Sequence, residues 1–350
     1  MSTDVPPPRR APTLEVVART AGVSRATVSR VINGVRNVDP QIAAVVQRAI
    51  ATTGYVPNRA ARALVTRRTF SVALVVSAPD DVEFDDPFLD RAFTDPFFGR
   101  VASGALAELA DRDIHMILMR VNDAAARAEL LGHLRQGDID GVMSVPMAAA
   151  DPLPRLLTEA RVPAVLFGRP AEALEISYVD AAQAAGAAIA ADHLVARGCR
   201  RIATICGPAD TPAGADRLAG FREAMARHGQ SFVPMVHGNF THDDGESAML
   251  ALLGSDPDLD GLFVANDLMA QGAMLVLRDA GRRVPEDIAV VGFDDSVAAL
   301  STRPKLTTVR QPVEEMAAAM VRLLLNHIED RARPVASLIF EPTLVIRDSA

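Results

Sequence analysis

From position 70 onward, short apolar runs alternate with alanine-rich stretches of helical period for about 280 residues, and nothing else in the chain limits the fold so severely. The runs at 72–76, 114–119, 141–145, 164–167, 202–205, 261–264 and 289–293 read as strands. Stretches near 98–111, 124–135, 152–160, 181–197, 214–228, 243–254, 267–280 and 312–328 read as the helices between them. A β-α repetition of this kind implies parallel sheets covered on both faces. Its length suggests two sheets side by side, with a ligand held between them at the carboxyl ends of the strands.

The preceding segment follows a different rule. Residues 1–12 are rich in proline and arginine and are expected to be disordered. Thr13 then offers an N-cap to a short helix, 14–21, whose residues Leu14, Val17, Ala18 and Ala21 share one face, and Gly22 stops it. Ser24 caps a second helix, 25–32, closed by Asn33-Gly34. Asp39-Pro40 starts a third, which runs to about Thr53 with Gly54 as its stop. Two short helices joined by a glycine-containing turn and followed by a third make a helix-turn-helix domain.

Charge separates along the same boundary. Residues 1–68 hold eleven arginines against Asp4, Glu15 and Asp39, a net +8, whereas the remainder carries −16 of the total −8. A compact basic head on an acidic body is an electrostatic footprint for phosphates. At 350 residues, 49% apolar and 23% charged, the chain belongs with soluble proteins of two or three domains. Two cysteines, Cys199 and Cys206, make no disulfide scaffold and fit a reducing compartment. The N-terminus has no apolar signal core and no run of roughly 18 apolar residues exists. A cytoplasmic, nucleoid-associated protein with no membrane partner is expected.

Several stretches resemble the LacI/GalR family of bacterial transcription regulators. TLEVVARTAGVSRATVSRVINGVRNVDP (13–40) resembles that family's headpiece and GYVPNRAARAL (54–64) its hinge segment. DRLAGF (216–221), VANDLMAQGAM (264–274), DIAVVGFDD (287–295) and LTTVRQP (306–312) resemble its effector domain in order and spacing. The resemblance implies a helix-turn-helix domain at 13–56, a hinge helix and linker at 57–69, and a two-lobed, periplasmic-binding-protein-like effector and dimerisation domain at 70–350. The function it implies is a repressor that binds a pseudo-palindromic operator as a homodimer under control of a sugar or sugar derivative, with a purine or other metabolite left open. The chain ends shortly after its last apparent strand without a heptad tail, so dimers are expected and not tail-made tetramers.

By position in the headpiece motif, Arg25, Ala26 and Arg30 match base readers. Arginine can pair bidentately with guanine, and alanine can touch a thymine methyl. Thr13, Ser24, Thr27, Ser29 and Asn33 are placed for phosphates. In the hinge, Leu64 stands where the family inserts a leucine wedge into the minor groove, with Asn58, Arg59 and Arg62 beside it. The resemblance assigns effector contacts to Ser77, Phe97, Phe98, Arg217, Phe240, Asn266, Asp294 and Gln311, and places Arg169 near the cleft. An arginine fork beside a carboxylate suits vicinal hydroxyls. Between Ser77 and Phe97 the chain departs from the family by an acidic insertion, 78–94, read as a solvated loop in preference to a lid.

No dinucleotide fingerprint, P-loop, zinc-protease motif, nucleophile elbow or paired C-x-x-C occurs, so no enzyme activity, cofactor or metal is expected. His237, His242, Asp243 and Asp244 cluster in sequence but match no ligand spacing and read as a solvated turn. Two other classes share parts of the pattern. A transport-system solute receptor has the two-lobed fold but no basic headpiece, and a sugar-converting α/β enzyme would need a nucleophile or base constellation.

Overall fold

The computed structural model describes residues 12–32, 38–56, 68–78 and 96–350. The N-terminal arm, Asn33, the hinge residues Asn58, Arg59, Arg62 and Leu64, and nearly all of the acidic insertion lie outside the described residues. The chain divides into two compact units, Met1–Phe70 and Ser71–Ala350.

The first unit has three helices, α1 (Leu14–Ala21), α2 (Arg25–Ile32) and α3 (Pro40–Thr53). They close on a small core of Val17, Val28, Val46 and Ala49. Gly22 ends α1 at φ 66°, a left-handed conformation that lets the chain turn at once toward α2. Ser24 caps α2 by accepting from the Thr27 amide at 3.1 Å, and Asp39 caps α3 by accepting from the Gln41 amide at 2.7 Å. Thr13 occupies the cap position of α1 in extended conformation, but its side chain makes no capping bond.

The second unit contains two six-stranded sheets. The first has the order β11-β5-β4-β3-β1-β2 and is parallel throughout. Its strands are β1 (Ser71–Ser77), β2 (His115–Val121), β3 (Gly141–Pro146), β4 (Ala164–Phe167), β5 (Ser177–Ala181) and β11 (Ser337–Phe340). The second has the order β12-β10-β9-β8-β6-β7, with β6 (Ile202–Cys206), β7 (Met235–His237), β8 (Gly261–Val264), β9 (Ala289–Asp294), β10 (Thr307–Arg310) and β12 (Thr343–Val345). Here β12 runs antiparallel to β10, so the expected parallel arrangement gains an antiparallel edge.

Each sheet is sandwiched by helices. In β1, Val72 and Leu74 enter one core, beside α4 (Pro96–Leu109) and α12 (Val313–Glu329). Ala73 and Val75 enter the other, beside α5 (Ala124–Gln136) and α6 (Leu153–Ala160). The second sheet is covered by α7 (Gln183–Ala196) and α8 (Pro212–Arg227) on one face. On its other face lie α9 (His242–Ser255) and α10 (Asp267–Asp279), and the short helix α11 (Val297–Ser301) follows β9. Successive strand side chains point to opposite faces, so a strand buried on both reads as a continuous apolar run.

The chain passes between lobes after β5, after β10 and after β11. The helices expected at 14–53 and from 98 onward are present, and the expected hinge helix lies outside the described residues. The strands β5, β7, β10, β11 and β12 were not expected: they are three to five residues long, and Asp180, Thr307 and Thr308 break the apolar signal.

Candidate functional site

Strand ends from both lobes open onto one cavity of about 600 Å³, within the size range of small-molecule sites. Phe97, Phe98, Arg169, Arg217, Phe240, Asn266, Asp294 and Gln311 all line it. Ser77 does not: it is buried at the end of β1 and donates its hydroxyl to Asp151 at 2.5 Å, and Asp151 lines the cavity in its place.

Arg217 organises the polar side. Its guanidinium lies 3.8 Å over the Phe293 ring centroid. It donates to Gln183 Oε1 at 2.8 Å and to the Ala265 carbonyl at 2.5 Å, and sits 3.5 Å from Asp294 Oδ1. Both partners of that ion pair are buried, at 5% and 8% residual exposure. Gln311 donates to Asp294 Oδ1 at 2.7 Å. On the other flank, the Gln183 amide donates to Asp180 at 3.0 Å, and Asp180 also accepts from the Arg169 backbone amide at 3.0 Å. A continuous chain of polar groups thus runs from Arg169 in the first lobe to Gln311 at the second crossover.

The aromatic walls come from both lobes. Phe97 and Phe98 open α4, and the Phe97 ring meets Phe98 and Phe167 edge-on at 5.4 and 5.3 Å. Phe240 faces from the second lobe, 5.7 Å from the Arg217 guanidinium. Asn266 caps α10 by accepting from the Met269 amide at 2.9 Å and donates to the Phe240 carbonyl at 3.0 Å. It therefore holds the loop that carries the phenylalanine.

Burial pushes the Asp294 carboxyl up, and Arg217, Arg100 and the Gln311 bond oppose the shift. Asp267, wholly buried behind it, stands well above the usual carboxylate range through burial and the neighbouring Asp294 charge. Burial also raises Asp151, against its bonds from Ser77 and the Leu153 amide.

Sequence reasoning missed Asp180, Gln183 and Asp151. The first two flank the end of β5, and without that strand there was no strand end at which to look. The histidine cluster is not a turn. His242 and Asp243 lie in the first turn of α9, and His242 pairs with Glu246 at 3.1 Å. The ligand atoms of His242, Asp243 and Glu246 come within 4.8 Å of one another, a grouping that exposed acidic residues commonly make without an ion.

In the first unit, Arg25, Ala26 and Arg30 are exposed on α2, and Ser29 lies between them. Ala26 and Arg30, one turn apart, lie on the face away from buried Val28, and Arg25 and Ser29 stand at the side of it. Arg25 pairs with Glu15 at 2.9 Å, and Ser24 and Thr27 share a hydroxyl hydrogen bond of 2.9 Å. Among the described residues, no helix is long and apolar enough to cross a membrane.

Residues 13–58 match the family model described as bacterial regulatory proteins, lacI family, and residues 191–350 match that of a periplasmic binding protein-like domain. The HTH-type transcriptional regulator CelR of Thermobifida fusca is 44% identical over 345 residues, which span 97% of this chain and 99% of that protein. The structure of a CelR–cellobiose complex superposes with a TM-score of 0.74 at 42% identity, covering 97% of this chain and 100% of the other. The lac repressor dimer bound to operator and the anti-inducer ONPF superposes with a TM-score of 0.77 at 25% identity, covering 97% and 99%. Family members are transcription regulators and not enzymes. A three-helix basic head, a cavity between two wound sheets and likeness along nearly the whole chain lead to one conclusion: this protein is a transcription regulator of the LacI family.

Proposed function

We propose that the protein represses transcription by binding a pseudo-palindromic operator as a homodimer, and that a disaccharide of the cellobiose class, held in the cavity, controls that binding. The observation that carries the reading is the buried Arg217–Asp294 pair on the cavity wall, facing aromatic rings from both lobes. A guanidinium and a carboxylate offer donors and acceptors to adjacent hydroxyls, and apolar ring faces suit the C–H faces of a sugar. The likeness to a regulator solved with cellobiose supports a disaccharide over a monosaccharide.

Arg25 and Arg30 read base edges in the major groove, with Ala26 against an apolar base feature. Thr13, Ser24, Thr27, Ser29 and Asn33 hold phosphates. Asn58, Arg59, Arg62 and Leu64 form the minor-groove element. Phe97, Phe98, Arg169, Arg217, Phe240, Asn266, Asp294 and Gln311 surround the effector, with Ser77 supporting Asp151. The protein works in the cytoplasm on the nucleoid and binds its effector without transforming it.

Calorimetric titration with cellobiose, beside gel shifts on operator fragments, tests this. Cellobiose binding that changes operator affinity is expected. Operator binding indifferent to cellobiose and to related disaccharides would overturn the effector assignment.

A further inference from the structure

Asp294 faces the cavity with its side chain, yet its backbone is held from the opposite lobe. Its φ is 110°, a conformation that L side chains rarely adopt and that persists only where neighbours enforce it. Within the second lobe, Asp267 accepts from the Ser296 amide at 2.6 Å, and Arg310 donates to Asp295 at 2.6 Å. Arg347 also donates to Asp295. Among the described residues, the tie from the first lobe is Arg100 on α4. It donates from Nη1 to the Asp294 carbonyl at 2.7 Å and from Nη2 to the Gln311 carbonyl at 3.3 Å. Its other edge grips Glu314 at the start of α12 by a two-pronged pair, at 2.6 and 2.7 Å. Arg100 lies one turn beyond Phe97, so the same helix presents an aromatic wall to the cavity and a guanidinium to the strained turn.

We infer that Arg100 is a positioning residue for effector recognition: it sets the Asp294 carboxylate from the first lobe, so that α4 and the polar wall move as one when an effector binds. The inference rests on the reading of the cavity as a disaccharide site. The guanidinium is planar and forked, and it spends both edges at once, one on a carboxylate and one on two carbonyls. A lysine could keep the charge and one bond but not the fork. Glu314 fixes the rotamer, and its carboxyl is held below the usual range by Arg100.

Asp294 is faced by Arg217 from α8, Arg100 from α4, the Gln311 amide and the Asp267 carboxyl of α10. Asp295, next in the chain, is neutralised by Arg347 and Arg310. Removing the Arg100 charge therefore raises the pH at which Asp294 ionises. Effector affinity, which needs the carboxylate, then fails at a higher pH on the acid side.

The test uses the full chain as wild type, Arg100→Met, Arg100→Lys and Glu314→Gln. The Asp294 carboxyl is titrated by 13C NMR in ligand-free, aspartate-labelled protein and assigned through its absence in Asp294→Asn. Cellobiose affinity is measured by calorimetry across the same pH range. Arg100→Met is expected to move the titration upward and weaken cellobiose roughly 10- to 100-fold, the scale of one charged hydrogen bond. Arg100→Lys restores much of both, and Glu314→Gln shows a smaller change of the same sign. If wild type ignores cellobiose, the disaccharide reading falls, and the carboxyl titration alone still decides the role of Arg100. An unmoved titration overturns the inference, whether affinity is retained or is lost in Met and Lys alike; the latter pattern would mark a merely structural side chain.

Discussion

Asp267 and Asp294 are carboxyls placed where water scarcely reaches, and each is answered differently. Asp294 has a cation, and breaking a buried ion pair by removing one partner typically costs about 3–5 kcal/mol, because the other charge stays buried and unpaired. Arg217→Met is expected to lose stability on that scale in urea denaturation and to abolish effector binding. Asp267 has only neutral donors, the Thr308 hydroxyl at 2.5 Å and the Ser296 amide at 2.6 Å. Its native pKa lies above its unfolded value, so the folded state holds the proton more tightly. Its contribution to stability is then lost as pH rises from about 4, the unfolded value, through the raised native value. Glu314 and Asp295, held low by arginines, act with the opposite sign and lose their contribution on acidification. Asp267→Asn keeps an acceptor for Ser296 and can donate to Thr308. It should flatten the fall in stability toward neutral pH, as the difference between urea midpoints at pH 4.5 and 7.5 would reveal. An unchanged pH slope would mean that Asp267 is not the group responsible.

At the scale of elements, α2 offers DNA a face already occupied by a partner of its own. On the proposed reading Arg25 leaves Glu15 to reach a base, so Glu15→Gln should strengthen operator binding by a small factor, more at low salt. Arg30→Ala should cost roughly 1–3 kcal/mol at one symmetric pair of guanine positions in gel shifts with operator variants. A uniform loss across all variants would make Arg30 a phosphate contact instead. In the second unit, α7 and α8 approach so closely at Gly220 that an added Cβ would lie 2.1 Å from the Ala184 carbonyl. Gly220→Ala should therefore unseat the helix that carries Arg217 and lower both thermal stability and effector affinity.

At the scale of the whole effector domain, three crossings and a few polar ties govern how the lobes meet around the cavity. Arg169 of the first lobe donates to Asp216 of the second at 2.8 Å across the cavity rim. Both are substantially exposed, so the pair is weak and screened by salt. Asp216→Asn should change the rate of effector release at low ionic strength and have little effect at 0.5 M salt, as stopped-flow measurements would detect. Coupling between effector and operator is reciprocal. Titrating cellobiose with and without operator should give affinities that differ by one common factor, typically 1–3 kcal/mol in free energy. Equal affinities would disconnect the cavity from DNA.

The longer helices were legible in the sequence because a repeat of 3.6 residues with caps such as Asp39-Pro40 is a local signal, and so was the basic head, whereas the five-residue α11 was too short to show a period. Buried strands such as β1 announced themselves as apolar runs. Arg217, Asn266, Asp294 and Gln311 of the cavity wall could be named in advance because motifs such as DRLAGF and DIAVVGFDD carry each of them on one short stretch. What the sequence did not contain was any pairing between distant segments. The short polar strands β5 and β10 exist because neighbouring strands supply their hydrogen bonds, and burial of Thr307 and Thr308 is decided by sheet position, not by residue type. For the same reason Ser77 proved to support Asp151, and Gln183 and Arg100 entered the polar network unannounced. A side chain's chemistry is written at its own position, but its partner is chosen only when the chain, crossing three times between two sheets, brings strand ends and helix starts within hydrogen-bond reach.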